Sequence, residues 1–361
     1  DVDPDRLKAA ERALDPPMSQ LTAVSDLSQL GRVDVVIEAI PEDLAIKREW
    51  LTAVEPALPP ETLLATNTSS LPLSKLSAGL RHPERMCGLH FCHPVEQRRL
   101  VEVVRGPHSG RAAVARAEAF ARQIGKSPVI VGDGPGFVLN RLLSLYLTES
   151  LELIQEGVAL DELDAAAARL GMPLGPLQQL DTFGVELALA VGRHLWSAFP
   201  DRWIPSELLI AVCKYRRRSG EMGRGFYAQT EQLPGESEPA GLDPAVLRIV
   251  NDRQRSGCLT SSTDMERRLW LPLLVEATRI LEDGLVGRLG EIDRILELGL
   301  GMRAGGFNLE QRAANAGADR LQSWLRPLES LGKRFVPEAE FQRWIPSAVL
   351  TIADGWGKRS A

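Results

Sequence analysis

The sequence predicts an α/β domain followed by two tandem all-helical domains. Up to about Gly132, strand-like apolar runs such as VDVVIEA and MCGLHF alternate with helix-like segments, which is typical of a sheet covered by helices. From PGFVLNRLL at residues 135–143 onward, apolar residues recur at helical spacing and strand-like runs disappear. A weak internal repeat indicates that the helical part occurs twice.

The repeat joins LTESLELIQEGVALDELDAAAARLGM at 147–172 to LVEATRILEDGLVGRLGEIDRILELGLGM at 274–302. Two residues of the first copy have identical counterparts at a constant offset of 127, so that Glu149 and Gly157 match Glu276 and Gly284. The second copy reads STDMERR where the first reads PGFVLNR, which places Arg267 where the first has Asn140. We therefore predict a degenerate second copy whose role is packing.

These patterns predict four segments. Residues 1–132 form the α/β domain and residues 133–230 the first helical domain. Residues 231–261, which begin with EQLPGESEPAGLDP, form an exposed linker, and residues 262–361 form the second helical copy.

Composition narrows the classes of function. A hydrophobic fraction of 44% over 361 residues suffices for real cores, and a net charge of −6 argues against nucleic-acid binding. We expect no membrane span, because no apolar stretch approaches the roughly 18 residues that a span needs. The four cysteines show no disulfide framework, and with no visible signal peptide we predict a cytoplasmic protein.

One cluster resembles a metal site: Cys87, His90, Cys92 and His93 lie within seven residues. Side chains alternate between the two faces of a strand, so His90 and Cys92 point one way and the other two point the opposite way. Four ligands would not converge there, and we predict no metal.

Polar residues between the first and second thirds of the chain suggest alcohol oxidation. They are Ser69 in NTSS, His90 in GLHFCHP, Glu102 in LVEVVRG and Asn140 in PGFVLNRLL. A histidine suits a general base because its pKa lies near neutrality, and a carboxylate beside it stabilises the charge that develops. Serine and asparagine can hold a substrate oxygen.

Ser69 follows the strand-like TLLATN, at the carboxyl end where α/β sheets place ligands. A serine here can instead cap the helix that SKLSAGL begins. Ser70 or Ser74 can serve as that cap, which leaves Ser69 free.

These segments, in this order and spacing, resemble the L-3-hydroxyacyl-CoA dehydrogenase family of fatty-acid β-oxidation, including the form in multifunctional β-oxidation proteins. The resemblance covers nearly the whole chain, is specific from VDVVIEAIPEDLAIK to LGMPLGPLQQLDTFG, and weakens toward the C-terminus. It implies a Rossmann-type NAD-binding domain, helical substrate domains, and oxidation of L-3-hydroxyacyl-CoA to 3-ketoacyl-CoA with NAD.

The resemblance also implies residue roles. His90 would be the base, Glu102 its partner, and Ser69 and Asn140 would position the substrate. The cofactor would contact residues that follow two strand-like runs: Ala39, Ile40, Glu42, Lys47, Asn67 and Ser69. Read independently of the family, Glu42 and Lys47 could be solvated charges at a helix start.

One family feature is absent, since the sequence contains no G-x-G-x-x-G turn to cradle a dinucleotide pyrophosphate. We expect an N-terminally truncated Rossmann-type sheet, lacking its first strand and Gly-rich turn. Asp1 or Asp3 is then the candidate carboxylate for the adenosine ribose, which would favour NAD over NADP. Alternatively, Asp3 before Pro4 is a solvated helix cap.

Two function classes remain. The first is the dehydrogenase, with an acyl-CoA thioester as substrate and an enoyl-CoA hydratase domain or a thiolase as a candidate partner. The second is a non-catalytic acyl-CoA-binding or scaffold relative that lost the phosphate loop. In either case we expect the helical domains to form an internal pseudo-dimer or to pair in a homodimer.

Overall fold

The computed structural model describes residues 31–222, 224–228, 241–255, 261–302 and 306–345, together with Asp5, Lys8 and Val24. Asp1 and Asp3, the predicted ribose-binding carboxylates, lie outside the described residues, and so does Cys258.

The N-terminal part is a five-stranded sheet in the order β1-β2-β3-β4-β5. Its strands are β1 Val35–Glu38, β2 Leu63–Thr66, β3 Met86–Phe91, β4 Leu100–Arg105 and β5 Ser127–Gly132. Strands β3 and β4 are antiparallel, and the other neighbours are parallel. The helices of this part are α1 Leu44–Val54, α2 Leu73–Leu76 and α3 Arg111–Gln123, with short 3-10 helices at Glu55–Ala57 and Pro83–Arg85.

Both faces of the sheet are buried, as near-continuous apolar strands predict. On one face, Leu89 and Val103 pack in a cluster that includes α3 residues such as Ala117. Alternate residues such as Leu100 and Val104 point to the other face, in a cluster shared with the helical domains. His90 and Glu102 have the same alternation as this second group, so they face the helical domains.

The rest of the described chain is helical, which confirms the predicted fold class. The first copy comprises α4 Leu139–Gln155, α5 Leu160–Arg169, α6 Pro176–Phe183, α7 Val185–Ala198 and α8 Glu207–Ser219. Helix α9 spans Pro244–Asp252. The second copy comprises α10 Ser262–Glu282, α11 Leu289–Leu300, α12 Leu309–Ala316, α13 Ala318–Leu325 and α14 Phe341–Trp344, with 3-10 helices at Arg326–Leu331 and Lys333–Phe335.

Helix α9 lies within the predicted exposed linker at 231–261, so part of that segment is helical, with Val246 and Val250 buried. Asp243 caps α9, accepting hydrogen bonds from the backbone N–H groups of Ala245 and Val246, and Pro244 occupies the first turn. An Asp-Pro pair before an apolar repeat is a helix-start signal, and the preceding Pro- and Gly-rich run obscured it. The other domain limits stay a prediction.

The two helical copies pack on each other within one chain, through α4 and α10. Ion pairs of buried arginines cross this interface in two matched sets. Arg141 of the first copy pairs with Glu276 and Asp283 of the second, and Arg268 of the second pairs with Glu149 and Glu156 of the first. Each member of one set lies 127 residues from its counterpart in the other. The interface thus has the reciprocal contacts of a two-fold dimer, which supports the internal pseudo-dimer.

Among the described residues, no helix combines the length and the apolar character that crossing a membrane would need.

Candidate active site

A buried histidine–carboxylate pair lies on the sheet face toward the helical domains. His90 of β3 and Glu102 of β4 are direct partners in the antiparallel register. The distance between His90 Nδ1 and Glu102 Oε2 is 2.6 Å, and the two side chains are 4% and 0% exposed. The pairing through Nδ1 leaves Nε2 as the ring nitrogen that can exchange a proton with a ligand.

The start of α4 holds Glu102 in place. Its other oxygen, Oε1, accepts hydrogen bonds from the backbone N–H groups of Val138 and Leu139, at 3.1 and 3.0 Å. Backbone N–H groups and the helix dipole both favour a negative charge at this end of a helix. Glu102 therefore links the sheet, the histidine and the first helical domain through one carboxylate.

Three of the four predicted site residues share a cleft, and Glu102 lies behind His90. The cleft is lined by Ser69, His90, Phe91, Cys92, His93, Leu139, Asn140, Leu143, Gln179, Phe183, Leu187, Gly299 and Leu300. Asn140 Nδ2 donates to the backbone oxygen of Ser69 at 3.1 Å, which ties the NTSS loop to α4. The Ser69 hydroxyl bonds to none of the described residues, so it can bind a ligand.

Glu42 is anchored on the same loop. Its Oε1 accepts from the Thr68 hydroxyl at 2.6 Å and from the backbone N–H groups of Ser69 and Ser70 at 3.0 and 3.1 Å. Burial alone would raise the pKa of Glu42, but the charge of Lys47 and the hydrogen bonds from Thr68, Ser69 and Ser70 together lower this pKa. Glu42 is therefore a structural brace of the loop as well as a candidate cofactor contact.

Lys47 does not reach the cleft. Its side chain is 2% exposed, and Nζ bonds to Glu38 Oε1 at 2.6 Å and to the Ile40 backbone oxygen at 2.9 Å. Lys47 is therefore not a solvated charge, because it fixes the turn after β1. Its contact with the cofactor stays a prediction. Ala39 and Ile40 lie on that turn, and the Ile40 N–H is already bonded to Glu38 Oε1 at 2.7 Å.

Asn67 lies at the carboxyl end of β2, next to the loop that carries Ser69. Its Oδ1 accepts from the Phe91 backbone N–H at 3.1 Å, which orients the amide so that Nδ2 is free to donate to a ligand. The turns after β1 and β2 thus place Ala39, Glu42 and Asn67 along the carboxyl-end edge of the sheet, where α/β sheets place ligands.

The predicted cap of α2 differs from the observed one. Neither Ser70 nor Ser74 caps this helix. The carboxylate of Asp133 accepts from the backbone N–H groups of Leu73 and Ser74, at 2.9 and 3.0 Å. Asp133 is 60 residues away in sequence, and only the packing of the sheet brings it to the start of α2.

The cysteines near His90 lie in separate cores. Cys87 packs in the cluster beneath α3, whereas Cys92 packs in the cluster shared with the helical domains. Burial raises the pKa of the Cys87 thiol to about 12 and that of Cys92 well above its usual range. No group of three or more candidate metal ligands converges within the described part of the chain.

The second helical copy supplies one wall of the cleft. Gly299 and Leu300, at the end of α11, line it beside His90. Arg98, in the loop between β3 and β4, donates through Nη1 to the Leu300 backbone oxygen. A Cβ on Gly299 would lie 2.8 Å from Leu139 Cδ2, so a larger residue here would force the buried Leu139 and Leu100 side chains to shift. Sequence reasoning missed these residues because the second copy keeps no polar site motif.

Two family models cover most of this structure. Residues 3–134 match the NAD-binding domain of 3-hydroxyacyl-CoA dehydrogenase, and residues 136–229 match its C-terminal domain.

Individual relatives agree with these models. The chain is 33% identical over 334 residues to the fatty acid oxidation complex subunit alpha of Shewanella frigidimarina, covering 90% of this chain and 45% of that protein. The chain therefore spans less than half the length of this relative.

Solved structures resemble it too. The dehydrogenase part of multifunctional enzyme 1 from C. elegans has a TM-score of 0.59 at 26% identity, covering 89% of this chain and 73% of that one. The (S)-3-hydroxybutyryl-CoA dehydrogenase of Ralstonia eutropha has a TM-score of 0.53 at 30% identity, covering 62% of this chain and 83% of that one. With both family domains matched in order and a relative of this identity largely covered, the chain belongs to the 3-hydroxyacyl-CoA dehydrogenase family.

Proposed function

We propose that this chain oxidises L-3-hydroxyacyl-CoA to 3-ketoacyl-CoA with NAD. The observation that carries the proposal is the buried His90–Glu102 pair, 2.6 Å apart, at the wall of a cleft that Ser69 and Asn140 also line. A base held by a carboxylate, next to two groups that can bind oxygen, is what oxidation of a secondary alcohol requires.

His90 Nε2 takes the proton of the substrate 3-hydroxyl as the carbonyl forms. Glu102 holds the ring through Nδ1 and stabilises the imidazolium that results. Because Val138 and Leu139 donate to the other carboxylate oxygen, Glu102 keeps its orientation while the charge on His90 changes. A base placed in this way contributes about 10²–10⁴ in rate.

Ser69 and Asn140 hold the substrate oxygen. The Asn140 amide has two N–H bonds to donate. One donates to the Ser69 backbone oxygen, so the other can donate to a substrate carbonyl. The Ser69 hydroxyl can bridge the substrate and the nicotinamide. Both residues lie beside His90 in the cleft, which fixes the reacting carbon relative to the base.

NAD, when bound, would supply the acceptor for the hydride that leaves the substrate carbon. The residues that would hold the nicotinamide half of NAD are Asn67, Ser69 and Glu42, in the turns after β1 and β2. Among the described residues, the Ser69 hydroxyl and Asn67 Nδ2 have no hydrogen-bond partner and could bind that half. We assign no residue to the pyrophosphate, since the sequence contains no Gly-rich turn.

The relatives suggest a pathway. Since one is the alpha subunit of a fatty acid oxidation complex, we place the reaction in fatty-acid β-oxidation. An enoyl-CoA hydratase domain or a thiolase as partner stays a prediction.

The test is acetoacetyl-CoA-dependent oxidation of NADH, measured for the 361-residue chain and for the same chain with its genomic upstream sequence. We expect His90→Gln to abolish turnover and to leave acetoacetyl-CoA binding within a few-fold. His82→Gln is the matched control. The His82 side chain is exposed, and among the described residues its ring pairs only with the Glu84 carboxylate. Retained turnover in His90→Gln would refute the base assignment.

A second outcome favours the other function class. The same assay separates the dehydrogenase from the second class of function, a non-catalytic acyl-CoA-binding scaffold. Binding of acetoacetyl-CoA without turnover in either form of the chain would support that scaffold and contradict the dehydrogenase.

A further inference from the structure

A buried amide in the cleft has no task in the reaction described above. Gln179 lies on α6, is 4% exposed, and lines the cleft together with His90, Ser69 and Asn140. Its Oε1 is buried and has no hydrogen-bond partner among the described residues. By contrast, each polar side chain that the reaction uses either has a hydrogen-bond partner in the protein or is assigned to the substrate 3-oxygen.

The surroundings of Gln179 do not explain this amide. The cleft residues contributed by the helical domains are otherwise largely apolar, among them Leu139, Leu143, Phe183 and Leu187. A buried carbonyl oxygen without a partner is destabilising, whereas an apolar side chain of similar shape would be neutral or better. An amide retained at such a position is best explained by a ligand that completes its hydrogen bonds.

We propose that Gln179 selects substrates whose acyl chain carries a second polar group, a hydroxyl within a few carbons of C3. This inference rests on the proposed function, since the 3-hydroxyl itself is assigned to His90. The unpaired atom is an acceptor, so the ligand must present a donor, and a hydroxyl is the uncharged donor that an acyl chain can carry. A purely hydrocarbon chain would leave Oε1 unpaired and bind less well.

The experiment compares the binding of matched thioesters by equilibrium titration, which needs no turnover. The ligands are 3-hydroxyhexanoyl-CoA and its analogues with an added hydroxyl at C4 or C5. For the wild-type chain we expect at least one hydroxylated thioester to bind about five- to tenfold more tightly than the plain one. Gln179→Leu should abolish that preference and should raise Tm, because it removes an unpaired buried oxygen.

Gln178→Leu is the matched control. Gln178 is the preceding residue, and its Oε1 accepts from the Gly175 backbone N–H at the start of α6, so its loss should leave the preference unchanged. Equal affinities for plain and hydroxylated thioesters in the wild type would overturn the proposal. So would a uniform loss of affinity for all the thioesters in Gln179→Leu, since that result would assign Gln179 to the common CoA portion.

The two proposals fail separately. Absence of a hydroxyl preference in the wild-type chain, with turnover of plain 3-hydroxyhexanoyl-CoA intact, contradicts only the role of Gln179. A hydroxyl preference in binding, with no turnover of any thioester, contradicts only the dehydrogenase.

Discussion

Helices α4 and α10 occupy equivalent positions in the two helical copies, but the residues of their first turns make different contacts. The first turn of α4 receives Glu102 and presents Asn140 to the cleft. The first turn of α10 is capped by Ser261, whose hydroxyl accepts a hydrogen bond from the Asp264 backbone N–H. Arg267, the counterpart of Asn140, pairs with Asp264 and lies over the Trp324 ring.

Beyond those first turns the two helices keep the same chemistry. An arginine and two carboxylates recur in both, and each arginine binds the carboxylates of the other copy. The difference teaches that the contacts between the copies and the contacts with the substrate are separable. The second copy keeps the first set and has lost the second.

The largest expected effect concerns the shared interface. Glu276→Gln and Glu149→Gln should each lower the free energy of unfolding by roughly 3–5 kcal/mol, because each removes a fully buried negative charge that two buried arginines share. Glu276 is 0% exposed between Arg141 and Arg279, and Glu149 is 0% exposed between Arg268 and Arg334. Urea denaturation measures both losses.

The control for this pair is Glu152→Gln. Glu152 pairs with Arg255, whose side chain is 54% exposed, and an exposed pair of this kind is worth about 1 kcal/mol or less. Clearly unequal losses in the two buried variants would show that the interface is symmetric in geometry but not in energy.

The next effect concerns the first turns. Asn140→Ala should lower kcat/KM for acetoacetyl-CoA by about 10²-fold, as expected when a buried donor to a developing charge is removed. Arg267→Ala, at the equivalent position, should leave kcat/KM within about twofold, because Arg267 contacts only its own copy in the described structure. Steady-state kinetics on folded samples measure both, and a large loss of turnover in Arg267→Ala would contradict the degenerate-copy interpretation.

A third prediction concerns the wall that the second copy supplies. A methyl group at Gly299 would meet Leu139 and Leu100 at 2.8 and 2.9 Å, so Gly299→Ala should destabilise by about 1–3 kcal/mol and slow turnover. Gly192, within α7, has no atom within 4 Å of its Cβ position, and Gly192→Ala should be neutral or stabilising. Unchanged stability and turnover in Gly299→Ala would argue against the close contact between α11 and the cleft.

The smallest effect depends on pH. Asp293 of the second copy caps α12, and burial raises its pKa from the ordinary value of 3.8 to about 6. The folded state therefore holds this proton more tightly, so the stabilisation is present below pH 3.8 and is lost as the pH rises through about 6. Relative to that of the wild type, the free energy of unfolding of Asp293→Asn should therefore rise by about 1–2 kcal/mol as the pH increases from 4.5 to 7.5.

Asp243→Asn is the control for the pH effect. Asp243 also caps a helix, but its pKa shifts in the opposite direction. Burial alone would raise the pKa of Asp243, whereas hydrogen bonds from Ala245 and Arg216 help to lower it. The stabilisation from a lowered pKa is present above the ordinary value and lost only in stronger acid. Asp243→Asn should therefore show no gain over the same pH range, as thermal unfolding at each pH would reveal.

The sequence predicted the order of domains, the internal repeat and the pairing of His90 with Glu102, because these follow from local periodicity and short separations. It did not predict the Asp133 cap of α2 or the burial of Lys47, which depend on packing between distant segments. It also gave Gln179 no separate role, since an amide on an amphipathic helix looks like a surface residue until its neighbours are known.

The most direct test of the account is the rate of acetoacetyl-CoA-dependent NADH oxidation by Glu102→Gln. Glutamine keeps an oxygen for the Val138 and Leu139 N–H groups but removes the negative charge beside His90. We predict that kcat falls by at least about 10²-fold while acetoacetyl-CoA binding and the folded state are preserved. A rate near that of the wild type would show that the charge on Glu102 plays no part in the reaction, and would contradict the catalytic pair.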